Sequence, residues 1–114
     1  MSEEKLQQSC VIYFNNKYCL KHHNPQYCIF SVPNGGLRTK REAMKLKLTG
    51  LKAGVSDLIV VLNKKVLFIE LKIEDGRQSI VQFEFDNIVK KLNHKYYLIY
   101  SLEEFKNVIE YELS

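Results

Sequence analysis

Two short, almost uninterrupted apolar segments in the middle of the chain limit what this sequence can fold into. They span residues 56–62 and 66–71, and the polar residues Asn63, Lys64 and Lys65 join them, which is the pattern of a β-hairpin. Strands that are apolar at nearly every position are buried on both faces. We therefore expect helices on both sides of the sheet that contains this hairpin.

The segments around the hairpin alternate between helical and strand patterns. Apolar residues at helical spacing predict a first helix over 3–20, and β-branched and aromatic residues predict a strand over 27–32. Further helices are predicted over 37–48, over 77–92 and after Ser101, where Glu104 would complete a capping box, and a last strand over 95–100. This order predicts an α/β fold with helical layers around a mixed sheet.

Length and composition predict one globular domain over residues 1–114. Hydrophobic residues make up 46% and charged residues 26% of the 114 residues, which is ordinary for such a domain. Apolar runs such as Leu58–Leu62 are far shorter than the ~20 residues that a membrane-spanning helix needs. The first eight residues are polar and partly acidic, so we expect no secretory signal and a cytoplasmic location without membrane association.

The cysteine pattern favours reduced thiols. The three cysteines, Cys10, Cys19 and Cys28, are odd in number and form no Cys-x-x-Cys pair. A disulfide framework and a zinc site are therefore the weaker interpretations.

The excess of positive charge lies in one segment. Residues 38–52 contain six basic side chains and the single acid Glu42, whereas the rest of the chain has eleven basic and twelve acidic residues. A localised basic stretch is expected of a face that binds phosphates, and a solvated helix surface is the alternative. The predicted DNA-binding residues are Arg38, Lys40, Arg41, Lys45, Lys47 and Lys52.

Charged side chains at the ends of the hairpin strands point to chemistry. With a two-residue turn at Asn63 and Lys64, Asp57 lies opposite Glu70, and Lys72 projects from the same face as Glu70. Carboxylate oxygens are ligands that Mg²⁺ prefers, and a neighbouring lysine can stabilise charge on a phosphate. The alternative is an ion pair at a strand end, which would leave one of the two acids unpaired.

Asp57 followed by Glu70-Leu71-Lys72 resembles the PD-(D/E)XK nuclease motif. The surrounding sequence, with Asn34-Gly35-Gly36, the segments 54–59 and 68–72, and Ser79-x-x-Gln82, is similar to the virus-type replication-repair nuclease (VRR-NUC) family. The resemblance implies a restriction-endonuclease-like αβββαβ core with a mixed four-stranded sheet flanked by helices. Ser56 stands where the name of the motif has proline, and this difference removes no ligand.

The resemblance also implies a metal site. Asp57, Glu70 and the backbone carbonyl of Leu71 would bind Mg²⁺, with Mn²⁺ as a substitute. An acid on the first helix often completes such sites in the family, and here Glu3, or less favourably Glu4, would serve.

The implied activity is the hydrolysis of phosphodiester bonds in DNA. Lys72 would act on the attacking water and the scissile phosphate, and Gln82 would position the metal or the substrate. Stand-alone members of the family resemble Holliday-junction resolvases, so we expect branched DNA as substrate and a two-fold homodimer. The alternatives are a non-catalytic DNA-binding module on the same fold and a monomeric flap or single-strand nuclease.

Overall fold

The computed structural model describes residues 1–19, 26–33 and 39–114. Within these residues the order of helices and strands agrees with the predicted α/β order. The elements are α1 (Glu3–Phe14), β1 (Cys28–Ser31), α2 (Lys40–Leu48), β2 (Leu58–Leu62), β3 (Lys65–Leu71), α3 (Ile80–Lys91), β4 (Lys95–Ile99) and α4 (Leu102–Leu113).

The strands form one mixed sheet in the order β1-β2-β3-β4. β1 and β3 each pair antiparallel with β2, and β4 pairs parallel with β3. Leu62 lies opposite Lys65 and Leu58 opposite Ile69, which is the predicted hairpin register. In the same register, the next residues Asp57 and Glu70 lie opposite each other. Because side chains alternate along strands, both are on the face opposite to that of Leu58.

Helices cover both faces of the sheet. α1 and α4 bury Leu6, Phe14 and Phe105 against the side of the sheet that carries Leu58. α3 packs the ring of Phe85 between Phe68 and Tyr96 on the other side. The second side is covered less completely, because Phe30 and Val61 near the β1 edge stay 47% and 36% exposed.

Capping residues explain why two helices begin later than predicted. α2 begins at Lys40 because the side chain of Thr39 accepts the backbone N–H of Glu42 at 3.1 Å. α3 begins at Ile80 because Ser79 is its N-cap and has extended backbone angles. A capping side chain needs a non-helical backbone, so Thr39 and Ser79 themselves lie outside the helices. The predicted helical residues 37 and 38 lie outside the described residues.

Two further predictions are corrected in detail. The first helix keeps α geometry only to Phe14 and continues as a π-helical segment over Asn15–Cys19. At α4 the hydroxyl of Ser101 accepts the backbone N–H of Glu104 as predicted, at 3.1 Å. The carboxylate of Glu104, however, accepts the backbone N–H of Tyr100, at 3.3 Å, so the capping box is not reciprocal.

Hydrogen bonds join the last turn of α4 to the start of β3. Lys65 Nζ donates to the backbone carbonyl of Glu112 at 2.7 Å and lies 3.3 Å from its Oε1, and the hydroxyl of Tyr97 donates to Oε2. Burial opposes the charge on Glu112, but these hydrogen bonds outweigh it and lower the pKa of the carboxyl. Lys65 begins β3, and Tyr97 pairs with Ile69, so the cluster lies on the face of the sheet opposite to that of Glu70.

Two predictions based on composition concern membranes and thiols. Among the helices of the described ranges, none has the length and apolar character needed to cross a bilayer. Cys10, Cys19 and Cys28 are free thiols, of which Cys10 is buried and Cys28 exposed.

Candidate active site

Asp57 links the two strands of the hairpin at the sheet edge. It stands one residue before β2, and its Oδ2 accepts the backbone N–H of Leu71 at 2.8 Å. The preceding Ser56 is fully buried, and its hydroxyl donates to the carbonyl of Leu58 at 3.2 Å. The serine in the position of the motif's proline thus supports the backbone that leads into β2.

Glu70 is a buried carboxylate whose hydrogen bonding is incomplete. Its side chain is 1% exposed, Oε2 accepts Gln82 Nε2 at 3.0 Å, and Oε1 has no hydrogen-bond partner among the described residues. Burial raises the pKa of Glu70 to about 9; the Asp57 carboxylate adds to the effect and the Lys72 ammonium opposes it. The site therefore disfavours an ionised Glu70 unless a cation compensates its charge.

A capping box at the start of α3 orients Gln82. The backbone N–H of Ser79 donates to Gln82 Oε1 at 2.8 Å, and the backbone N–H of Gln82 donates to Ser79 Oγ at 3.2 Å. Because Oε1 is engaged in this way, the amide nitrogen must face Glu70. The Ser-x-x-Gln spacing is itself the sequence signal for a capping box, so this arrangement was recognisable from the sequence.

Gly54 allows the loop before β2 to lie against α3. Its φ is +83°, and a Cβ at this position would lie 2.2 Å from the carbonyl oxygen of Val81. Only glycine fits so close to another backbone with this conformation. The contact brings Asp57 and Gln82 to the same cleft, whose volume is about 360 Å³.

The basic residues are divided between two sides of α2. Lys47 and Lys52 line the cleft that holds Asp57 and Gln82. Helical spacing places Lys40 on the side of Lys47, and it turns Arg41 and Lys45 away from it. No residue of α2 is buried, so the helix stands in solvent beside the cleft. The predicted Arg38 and the segment 34–36 lie outside the described residues.

Glu3 and Glu4 line a second cleft, of about 800 Å³, that also reaches Asp57. The charge of Glu3 acts on Glu70 and contributes to its raised pKa, as the smallest of the named causes. In the described part of the chain, no three His, Cys, Asp or Glu side chains form a group that could hold a metal. The role of Glu3 as a third carboxylate therefore stays a prediction.

A polar network behind the cleft was missed by the sequence reasoning. Gln78 Nε2 donates to Asp86 Oδ2 at 3.1 Å and to the hydroxyl of Tyr96 at 3.2 Å. Lys90 Nζ lies 3.0 Å from Asp86 Oδ1. The network ties the start of α3 to β4. An acid on the buried side of a helix, with a lysine four residues later, is the signal that could have indicated it.

A solved structure described as "VRR_NUC domain protein" has the same fold as this chain. The TM-score is 0.75 at 23% sequence identity, and the alignment covers 96% of this chain and 86% of that one. No family model and no curated protein matches the chain. The predicted resemblance is thus confirmed for the fold, including the mixed four-stranded sheet flanked by helices.

Proposed function

We propose that the protein is a divalent-metal-dependent endonuclease that hydrolyses phosphodiester bonds in DNA. The observation that carries the proposal is the buried carboxylate of Glu70, which has an unpartnered oxygen and the Asp57 carboxylate as its neighbour. A buried anion in this state is costly unless it is protonated or paired with a cation. A structural ion pair does not explain it, because no ion pair to Glu70 is found among the described residues.

The donor set fits a hard divalent cation. Asp57 and Glu70 supply carboxylate oxygens, and the backbone carbonyl of Leu71 lies next to Glu70 in the chain. These groups would hold Mg²⁺ or Mn²⁺, and Glu3 would contribute from the α1 side of Asp57. The cation would supply positive charge for the scissile phosphate and increase the acidity of a water molecule.

Lys72 and Gln82 would act beside the metal ligands. Lys72 follows directly after β3 on the same face as Glu70, and its ammonium opposes the rise in the pKa of Glu70. There it would orient the attacking water and stabilise the charge that develops on the phosphate oxygens. Gln82 would keep the Glu70 carboxylate in place through its amide.

The charge distribution around Asp57 supports a nucleic-acid substrate. The α2-side cleft carries Lys47 and Lys52, whereas the α1-side cleft carries Glu3 and Glu4. A phosphate backbone would follow the first cleft and would be repelled from the second. We therefore assign DNA binding to the side of α2 that bears Lys40 and Lys47, together with Lys52.

The proposed substrate is branched DNA, with a four-way junction cut by a two-fold homodimer. A single domain of this size offers little surface for several duplex arms. A dimer would double the surface that carries Lys40, Lys47 and Lys52. An isologous dimer would present two identical sites to the symmetry-related strands of a junction.

The deciding experiment compares labelled four-way junctions, flaps, single strands and duplexes in Mg²⁺, Mn²⁺ and EDTA. We expect metal-dependent cleavage that Glu70→Ala and Asp57→Ala abolish with the fold retained. Lys72→Ala should lose about 10²–10³ in rate while still binding metal. The exposed acid Glu103 provides a control, Glu103→Ala, that should cleave normally.

Three outcomes would lead to other conclusions. Binding of every DNA without cleavage would identify a non-catalytic DNA-binding module. A monomer by light scattering that cuts flaps or single strands and spares junctions would replace the resolvase proposal by a monomeric nuclease. Normal cleavage by Glu70→Ala would exclude the metal site itself.

A further inference from the structure

An apolar groove with two exposed aromatic rings lies between α3 and the end of β4. It has a volume of about 470 Å³, and Ile80, Phe83, Leu98 and Tyr100 form its apolar part. The side chains of Ile80 and Phe83 are 79% and 54% exposed, although both lie on a helix whose other side is packed on the sheet. Surface exposure of this much clustered apolar area is typical of a binding surface.

The groove adjoins the candidate active site. The strand register places Leu98 beside Glu70 on the same face of the sheet, and Tyr100 follows two residues later. Ser79 lines both this groove and the cleft that contains Asp57 and Gln82. A DNA strand that passes from Lys47 across the carboxylates would therefore reach the groove immediately after them.

The charge around the groove fits a nucleotide. Arg77 lies on the rim, and no acidic side chain of the described residues lines the groove itself. Beyond Tyr100 the next depression is lined by Glu74 and Asp75 as well as by Arg77, so its acids outnumber its single base and disfavour a phosphate. The groove is thus followed by an acidic depression, and we expect a bound strand to extend little beyond the groove.

One ring of the groove is fixed in place. The hydroxyl of Tyr100 donates to the backbone carbonyl of Gly76 at 2.9 Å, which restrains the ring at the wall of the groove. Phe83 projects from the first turn of α3, where the capping box restrains the backbone. Rigid aromatic faces of this kind bind bases by stacking, and they do so with little sequence preference.

We infer that this groove binds one unpaired nucleobase next to the scissile phosphate. The inference rests on the proposed nuclease function and specifies its substrate, because the bases of an intact duplex are stacked on their neighbours and cannot present a face to Phe83. Strands with an unpaired or splayed nucleotide at the cut position should therefore bind more tightly than continuous duplex. A second copy of the chain seated on the same apolar surface is the competing occupant.

The test uses an oligonucleotide that carries a fluorescent adenine analogue at one position, with binding measured in EDTA so that no cleavage occurs. Phe83→Ala and Phe83→Leu should weaken single-strand binding by about 5- to 150-fold, which is the cost of losing one base–aromatic contact. Phe83→Tyr keeps an aromatic ring and should bind single strands like the wild type. Blunt duplex should bind equally well to all variants. Tyr111→Ala, at a 70% exposed aromatic residue of α4, is the matched control.

The outcomes separate this inference from the nuclease proposal. Unchanged single-strand affinity in Phe83→Leu, with thermal unfolding showing an intact fold, would overturn the groove assignment even if the wild type cleaves DNA. A loss of self-association in Phe83→Ala, seen by light scattering with unchanged affinity per chain, would also overturn it and assign the groove to a dimer. A wild-type protein that never cleaves but binds bases through Phe83 would refute the nuclease and support the groove.

Discussion

The amide of Gln82 donates to the buried carboxylate of Glu70 at 3.0 Å, and the capping box at Ser79 fixes the direction of that amide. The start of a helix is thus coupled to a carboxylate on a neighbouring strand. The coupling holds the Glu70 carboxylate in one orientation but leaves its other oxygen without a hydrogen-bond partner among the described residues. The arrangement leads to measurable consequences for stability as well as for activity.

The stability of the metal-free protein should fall as pH rises between about 4.5 and 9. The pKa of Glu70 is raised to about 9 in the folded state, so over this range the native carboxyl keeps a proton that the unfolded chain has lost. The free energy of unfolding then decreases by at most about 1.4 kcal/mol per pH unit. Thermal unfolding from pH 5 to 9 measures this, and Mg²⁺ should raise the midpoint most at high pH.

Glu70→Gln should remove much of that pH dependence and abolish the effect of Mg²⁺. The amide cannot ionise, so this variant should be more stable than the wild type at pH 8 in EDTA. Glu103→Gln changes the same charge at an exposed position and should behave like the wild type. Identical pH profiles for wild type and Glu70→Gln would contradict the raised pKa of Glu70.

The capping box should matter for metal binding as well as for folding. Ser79→Ala removes the hydroxyl that accepts the N–H of Gln82, and Ser101→Ala removes the equivalent acceptor at α4. Each should cost about 1 kcal/mol of stability. Only Ser79→Ala should also weaken Mg²⁺ binding in calorimetry. If both variants bind Mg²⁺ like the wild type, the cap at Ser79 has a purely structural role.

The parts of the site that depend on local pattern were predictable. The opposition of Asp57 and Glu70 follows from a two-residue turn and the period of two in strands, and the Ser79–Gln82 pair has the spacing of a capping box. The orientation of α2 was not predictable, because that helix buries no residue and its amphipathic pattern does not determine which lysines face the cleft.

Contacts between distant parts of the chain could also not be predicted from the sequence pattern. Tyr97 and Glu112 lie 15 residues apart, and Lys65 is 47 residues from Glu112. Their pairing depends on how α4 crosses the sheet, and periodicity determines which face is buried but not which residues meet. The same reason explains why the bonds of Gln78 to Asp86 and Tyr96 were missed.

The Glu112 cluster should stabilise the fold without affecting cleavage. Lys65→Met removes the ion pair and both hydrogen bonds that Lys65 makes to Glu112, so we expect a loss of about 1–3 kcal/mol and a midpoint lower by several degrees. The lowered pKa of Glu112 stabilises the fold above the unfolded pKa, and this contribution is lost as pH falls through the folded pKa. Cleavage rates well below the midpoint should match the wild type. A rate defect in folded Lys65→Met would show that this face of the sheet is coupled to the site.

The two lysines that line the cleft beside Asp57 should determine the salt dependence of DNA binding. Lys47→Ala with Lys52→Ala removes two charges that line the cleft, whereas Arg41→Ala with Lys45→Ala removes two that point away from it. Each lost phosphate contact reduces the slope of log K against log salt by about 0.9 on duplex DNA. We therefore expect a slope lower by about 1.8 in the first double variant, measured by fluorescence anisotropy with metal-free protein, and a much smaller change in the second. None of the α2 residues is buried and Lys52 is exposed, so both variants should keep the wild-type unfolding midpoint. Because the two variants have the same net charge, equal slopes would show that binding responds to overall charge and not to the cleft beside Asp57.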